Sequence, residues 1–188
     1  VIAMVPENKT KPYKLTADEM LIEVQGAAEM IGADDVAHWL ISNDPSLQLI
    51  DVRSPDEFQA YHLDNAVNIP LAVILKDEYR DMLDQGIKMN VLYSNGTMNS
   101  HQAWMILRQL GFENNYVMQG GLNYWFDTII NPKAPSVYSA DEEFAKYDFR
   151  KAASAALGGG GLAVITAPSK AKTDKPKIIR KKKKKAPA

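Results

Sequence analysis

The sequence predicts an α/β fold, a parallel sheet with helices on both faces. Short runs rich in Val, Ile and Leu at residues 47–52, 66–69, 91–93 and 116–118 alternate with segments whose apolar residues recur at helical spacing. Parallel neighbours need crossover connections, and helices in those intervals supply them. With 188 residues, 46% hydrophobic and 24% charged, the chain can bury one ordinary core. The expected organisation is a polar leader over 1–20, the α/β domain over 21–131, a partly packed extension over 132–157 and a Gly- and Lys-rich tail over 158–188.

The leader starts with the apolar run Val1, Ile2, Ala3, Met4 and Val5, then turns polar after Pro6. That run is read as the stub of a missing anchor or signal peptide. A helix follows at 33–40, where Val36, Trp39 and Leu40 share a stripe, Asp34 or Asp35 suits the start, and Asn43, Asp44 and Pro45 close it. Leu47, Leu49, Ile50 and Val52 form the first strand. Ser54, Pro55, Asp56 and Glu57 read as a capping box with proline at the first helical position, so this strand turns at once into a helix.

Residues 66–69 are a second strand, stopped by Pro70. A polar helix over 77–85 turns Tyr79, Met82 and Leu83 inward and ends at Gly86. Val91, Leu92 and Tyr93 make the third strand. The polar loop 94–99 leads into a helix in which Ala103, Ile106, Leu107 and Leu110 have helical spacing, with Gly111 as its cap. Tyr116, Val117 and Met118 are the fourth strand. Gly120 and Gly121 open a last helix over 122–130, which Asn131 and Pro132 stop. Beyond it, Phe144, Tyr147 and Phe149 offer enough apolar surface to pack back, with order expected to about residue 150.

Composition narrows the chemistry. The chain has no cysteine, which removes disulfides, thiolate metal sites and any sulfur nucleophile of its own. The net charge of −1 hides a partition: residues 169–188 hold ten of the 22 Lys and Arg and one of the 23 acids, net +9, leaving 12 bases and 22 acids before them. An acidic body repels nucleic acid, so none is expected as a partner. The run Lys181, Lys182, Lys183, Lys184 and Lys185 suits an anionic membrane surface, where each Lys contributes about 1 kcal/mol. A membrane-associated or envelope location is the expectation, with a cytoplasmic one as the alternative.

Ligand sites in open parallel sheets lie at the carboxyl ends of the strands, which places Ser94, Asn95, Gly96, Thr97, Met98, Asn99 and Ser100 at the candidate site. The elements resemble the rhodanese-like domain of the sulfurtransferases. The matching pieces are Leu49, Ile50, Asp51, Val52 and Arg53 with Glu57 and Phe58, then residues 62–70 (HLDNAVNIP), then Val91, Leu92 and Tyr93, Leu107, Gly111 and Phe112, Val117, and Gly120 and Gly121 with Trp125. They cover residues 33–127 in the family's order. The resemblance implies a cysteine after the third strand, carrying a persulfide within a loop of backbone N–H groups. Ser94 stands there. A hydroxyl has a far higher pKa than a thiol and is a poor acceptor of sulfane sulfur. Active members also place Arg or Lys in or just after this loop, and residues 94–100 carry no charge.

The expectation is a rhodanese-like pseudoenzyme that binds or scaffolds a protein partner, with no catalytic residue, no cofactor and no small-molecule substrate. The loop can still favour an anion through N–H groups at a helix start. The alternative is a sulfurtransferase, with thiosulfate or a protein persulfide as donor, whose cysteine was replaced by Ser94. A hydrolase would need Ser94 as nucleophile, His101 as base and Asp51 as orienter. Asp51 and Arg53 are expected to pair near the loop, and His62 to fix a turn. No two His have the H-x-x-x-H spacing of a metal site, and no metal is expected. Tyr116, Tyr124, Trp125 and Phe126 are expected to pack in the core, or otherwise to serve an interface.

Overall fold

The structure, a computed structural model, describes residues 15–158. Five parallel strands, β1 (Met30–Ile31), β2 (Leu47–Asp51), β3 (Val67–Asn68), β4 (Met89–Tyr93) and β5 (Asn115–Met118), form one sheet in the order β1-β5-β4-β2-β3. The helices are α1 (Ala17–Gly26), α2 (Ala33–Ser42), α3 (Pro55–Ala60), α4 (Arg80–Leu83), α5 (Thr97–Gln109), α6 (Gly121–Trp125) and α7 (Asp141–Ala156). Side chains alternate along each strand, so the sheet has two packed faces. Leu49, Val91, Tyr93 and Met118 meet α2, α6 and α7, whereas Ile50, Leu92 and Val117 meet α1 and α5.

Several local expectations are met. Ser54 and Glu57 form the reciprocal capping box of α3, with Pro55 in its first turn. Asn43 takes the left-handed conformation after α2, and Gly111 has φ +85° after α5. Leu83 is buried, with Tyr79 and Met82 packed beside it, although the expected helix over 77–85 is a 3₁₀ turn (Asp77–Tyr79) joined to the one-turn α4.

Other features differ from the expectation. Residues 17–20, expected within a polar leader, open α1, where Thr16 and Glu19 form a second capping box and Met20 is buried. β1 is a fifth strand, at the sheet edge. Of the apolar residues at helical spacing in α5, Ala103 and Leu107 are buried together with Ser100 and Trp104, while Ile106 and Leu110 are exposed. The last helix changes at Phe126 into a π-helical turn, Phe126–Ile130. The extension is ordered past residue 150: α7 packs Ala153 and Phe149 against the core, and Arg150 forks onto Asp34 with two bonds of 2.7 Å. Lys181 to Lys185 and the Val1 to Val5 run lie outside the described residues. Among the described residues no helix is long and apolar enough to cross a membrane.

Candidate functional site

Register brings the site together. Asp51 at the end of β2 lies beside Tyr93 at the end of β4 and Asn68 at the end of β3. Each of these residues is the last of its strand, so the chain leaves the sheet at one common edge. Ser94 follows directly and is 1% exposed. Its Oγ donates to the Gly96 carbonyl at 2.5 Å, which folds the loop back on itself.

The loop is tied on both sides. Toward α6, the N–H groups of Leu122 and Asn123 donate to the carbonyls of Ser94 and Asn95 at 2.9 Å, and Gly120 N–H donates to Thr97 Oγ1 at 2.9 Å. This closeness explains Gly121. A Cβ on Gly121, whose φ is +57°, would stand 2.5 Å from Ser94 O and 2.8 Å from Gly96 O. Toward α3, Asn95 accepts from Arg53 Nη1 at 3.2 Å and donates to Glu57 Oε1 at 2.7 Å.

Arg53 and Asp51 do pair. Arg53 Nε and Nη2 reach both Asp51 oxygens, at 2.6 to 3.1 Å, and Nη2 also donates to the Tyr61 carbonyl. Burial works against the guanidinium's charge, but Asp51 outweighs it and holds Arg53 protonated above its usual range. Asn68 Nδ2 donates to the carbonyls of Asp51 and Arg53 at 3.0 Å. Tyr93 receives the Leu63 N–H on its hydroxyl, and burial pushes its pKa up. For Glu57, burial raises the pKa, but hydrogen bonds from Ser54 and Asn95 prevail and hold the carboxyl below its ordinary value.

A cation therefore does reach the loop, from a position 42 residues earlier that loop composition alone could not reveal. It is 4% exposed and committed to Asp51, so it is a brace. His62 stacks on Phe58 with centroids 4.0 Å apart, and its Nδ1 meets the Phe58 carbonyl at 2.9 Å, as a turn-fixing residue would. The hydrolase triad is not assembled. His101 Nε2 pairs with Glu29 Oε1 at 3.0 Å, Asp51 is held by Arg53, and the Ser94 hydroxyl is given to Gly96. Trp125 and Phe126 are core residues, whereas Tyr124 is exposed. The loop is shorter than the expected 94–99, since α5 begins at Thr97: Met98 and Asn99 are exposed in its first turn, and Ser100 is buried with its Oγ on the Thr97 carbonyl.

What this arrangement offers chemically is a fixed ring of backbone at the start of the 13-residue α5. Its first-turn N–H groups have no helical acceptor, and no ionisable side chain lies within residues 94–100. Among the described residues no group of three His, Asp or Glu could hold a metal.

The profile of the family described as Rhodanese-like domain matches residues 33–128. The chain belongs to the rhodanese-like family. The tRNA uridine(34) hydroxylase of Erwinia tasmaniensis is 29% identical over 109 residues, covering 50% of this chain and 30% of that protein. The probable adenylyltransferase/sulfurtransferase MoeZ of Mycobacterium tuberculosis is 32% identical over 111 residues, covering 59% and 27%. The uncharacterized protein YqhL of Bacillus subtilis is 35% identical over 78 residues, covering 42% and 60%. This rhodanese-like chain thus spans less than two thirds of the length of each of these relatives. Among solved structures, a rhodanese-like domain from Anabaena covers 60% of the chain and 87% of its own, with 23% identity and a TM-score of 0.48. A rhodanese-related protein from Thermoplasma volcanium covers 52% and 90%, with 26% identity and a TM-score of 0.43.

Proposed function

We propose that this rhodanese-like domain is a pseudoenzyme, a binding module whose loop after β4 presents a fixed backbone surface to a protein partner. The observation that carries this reading is Ser94, buried at the strand end with its hydroxyl given to Gly96, in a chain without cysteine. Persulfide chemistry needs a thiolate that leaves and re-forms at moderate pH, and a serine alkoxide is not accessible there. Arg53 supports the same reading: charge that could stabilise an anionic donor is spent on Asp51 and Asn95. The test is cyanide-dependent thiocyanate formation from thiosulfate by the full chain. The expected rate equals the buffer blank, and turnover above the blank rejects the reading.

A second reading concerns the tail, and the charge partition favours it. Lys181 to Lys185 would hold the domain at an anionic membrane surface, with the acidic body facing away. Sedimentation with phosphatidylserine vesicles over rising salt tests this. Binding is expected to fall steeply with salt and to vanish when the five lysines become Gln; binding unchanged by either dismisses the tail.

A further inference from the structure

The described residues 15–158 hold nine Lys and Arg against 21 Asp and Glu, a net charge of −12, while residues 169–188 carry +9. One groove on the body matches that tail in shape of chemistry as well as in sign. It has a volume of about 510 Å³ and lies between α1 and α5 near the β1 edge. Trp104, Tyr116 and Ile22 supply aromatic and apolar surface, and Glu23, Glu29 and Glu113 supply carboxylates.

The one lysine or arginine in the lining is already engaged. Arg108 gives Nε and Nη2 to Glu23 at 2.6 and 2.7 Å and lies 3.8 Å from Glu113. The lining therefore keeps two negative charges in excess of Arg108. Glu29 is 5% exposed, and His101 meets only its Oε1; no described residue hydrogen-bonds the second oxygen. A nearly buried carboxylate with a spare acceptor beside an indole wall favours an organic cation over an anion or a neutral ring. Ile22 is 68% exposed and Leu21, beside it, 53%, so the rim also offers uncovered apolar surface.

The chain contains a segment with both properties in the required order: Ile178 and Ile179 followed by Arg180 and five lysines. We propose that this segment, residues 178–185, docks in the groove of its own chain. The isoleucines cover the Ile22 and Trp104 side, and the cations meet Glu23, Glu29 and Glu113. Nineteen residues separate Gly158 from Ile178, and an extended chain spans up to about 3.3 Å per residue, more than enough to round a domain of this size. Tethering makes the contact intramolecular, so weak pairings count at a high effective concentration. Occupancy of the groove also competes with attachment of the same lysines to any other anionic surface.

Carbodiimide crosslinking of the full chain, which joins a carboxylate to a lysine amine in direct contact, tests this by mass spectrometry. An equal mixture of ordinary and ¹⁵N-labelled chains separates contacts within a chain from contacts between copies. The expected products join lysines of 181–185 to Glu23 or Glu113 within one chain. They should be lost at about 1 M salt, where screening acts within about 3 Å. They should also fall several-fold in the Ile178→Asp, Ile179→Asp variant, which keeps every lysine and leaves the folded body untouched. Products joining light to heavy chains, products spread over Asp141, Glu142 and Glu143, or groove products undiminished in that variant would each overturn the proposal.

Discussion

Arg53 Nη1 donates to Asn95 Oδ1 at 3.2 Å, so the end of β2 holds the loop that follows β4 through a single guanidinium. The same guanidinium forks onto Asp51, which is fully buried. Removing one member of such a pair leaves the other charge buried and uncompensated. Arg53→Leu is expected to cost about 3–5 kcal/mol in denaturant unfolding. Asp51→Leu with Arg53→Leu should cost clearly less than the sum of the single changes, since the two residues act as a unit.

Asn95 also donates to Glu57, whose carboxyl lies below its ordinary value of 4.5 although burial acts to raise it. A depressed carboxyl contributes stability that is fully present above its unfolded pKa and lost as pH falls through its folded value. Asn95→Ala removes one of the stabilising bonds, so the Glu57 pKa should move up toward 4.5. Carboxyl titration by NMR reads this directly, and an unmoved Glu57 would show that the Ser54 cap alone sets it.

Gly121 is irreplaceable for two separate reasons, its positive φ and the Ser94 and Gly96 carbonyls against it. Gly121→Ala is expected to cost about 2 kcal/mol or more and to lower the melting temperature. Gly86, which has open space around it and an ordinary φ, serves as the control. Gly86→Ala should change little.

The fork of Arg150 on Asp34 ties α7 to α2, with side chains 19% and 32% exposed. Solvent screens part of this pair, so Arg150→Ala should cost about 1 kcal/mol. The effect should be local. Faster amide exchange is expected in α7, with little change in the protected amides of β2 and β4.

Sequence pattern reached the sheet and the loop because their signals are local. Val91, Leu92 and Tyr93 are a buried strand wherever they are read, and Ser54 to Glu57 carries its own cap. Met30 and Ile31 gave no such signal: two residues are too few to show alternation, and only pairing with Val117 and Met118 makes them a strand. The Thr16 to Glu19 capping box is local too, but it lies in a polar stretch whose apolar residues show no helical stripe strong enough to mark α1. In α5 the spacing of Ile106 and Leu110 was right for a helix, but Trp104 and Ser100 took the buried side; periodicity reports a stripe without saying which one meets the sheet. The contacts from Arg53 to Asn95 and from His101 to Glu29 join residues 42 and 72 apart, and no local pattern encodes them.

Thiocyanate formation by the Ser94→Cys variant, compared with the unaltered chain under thiosulfate and cyanide, bears most directly on whether this loop still supports sulfur transfer. A loop with no charged residue of its own, braced by an Arg53 that is bound to Asp51, should leave the variant near the blank even with a thiol in place. Robust turnover by Ser94→Cys would mean that the machinery is intact apart from one atom, and that the chain is a sulfurtransferase with its nucleophile replaced.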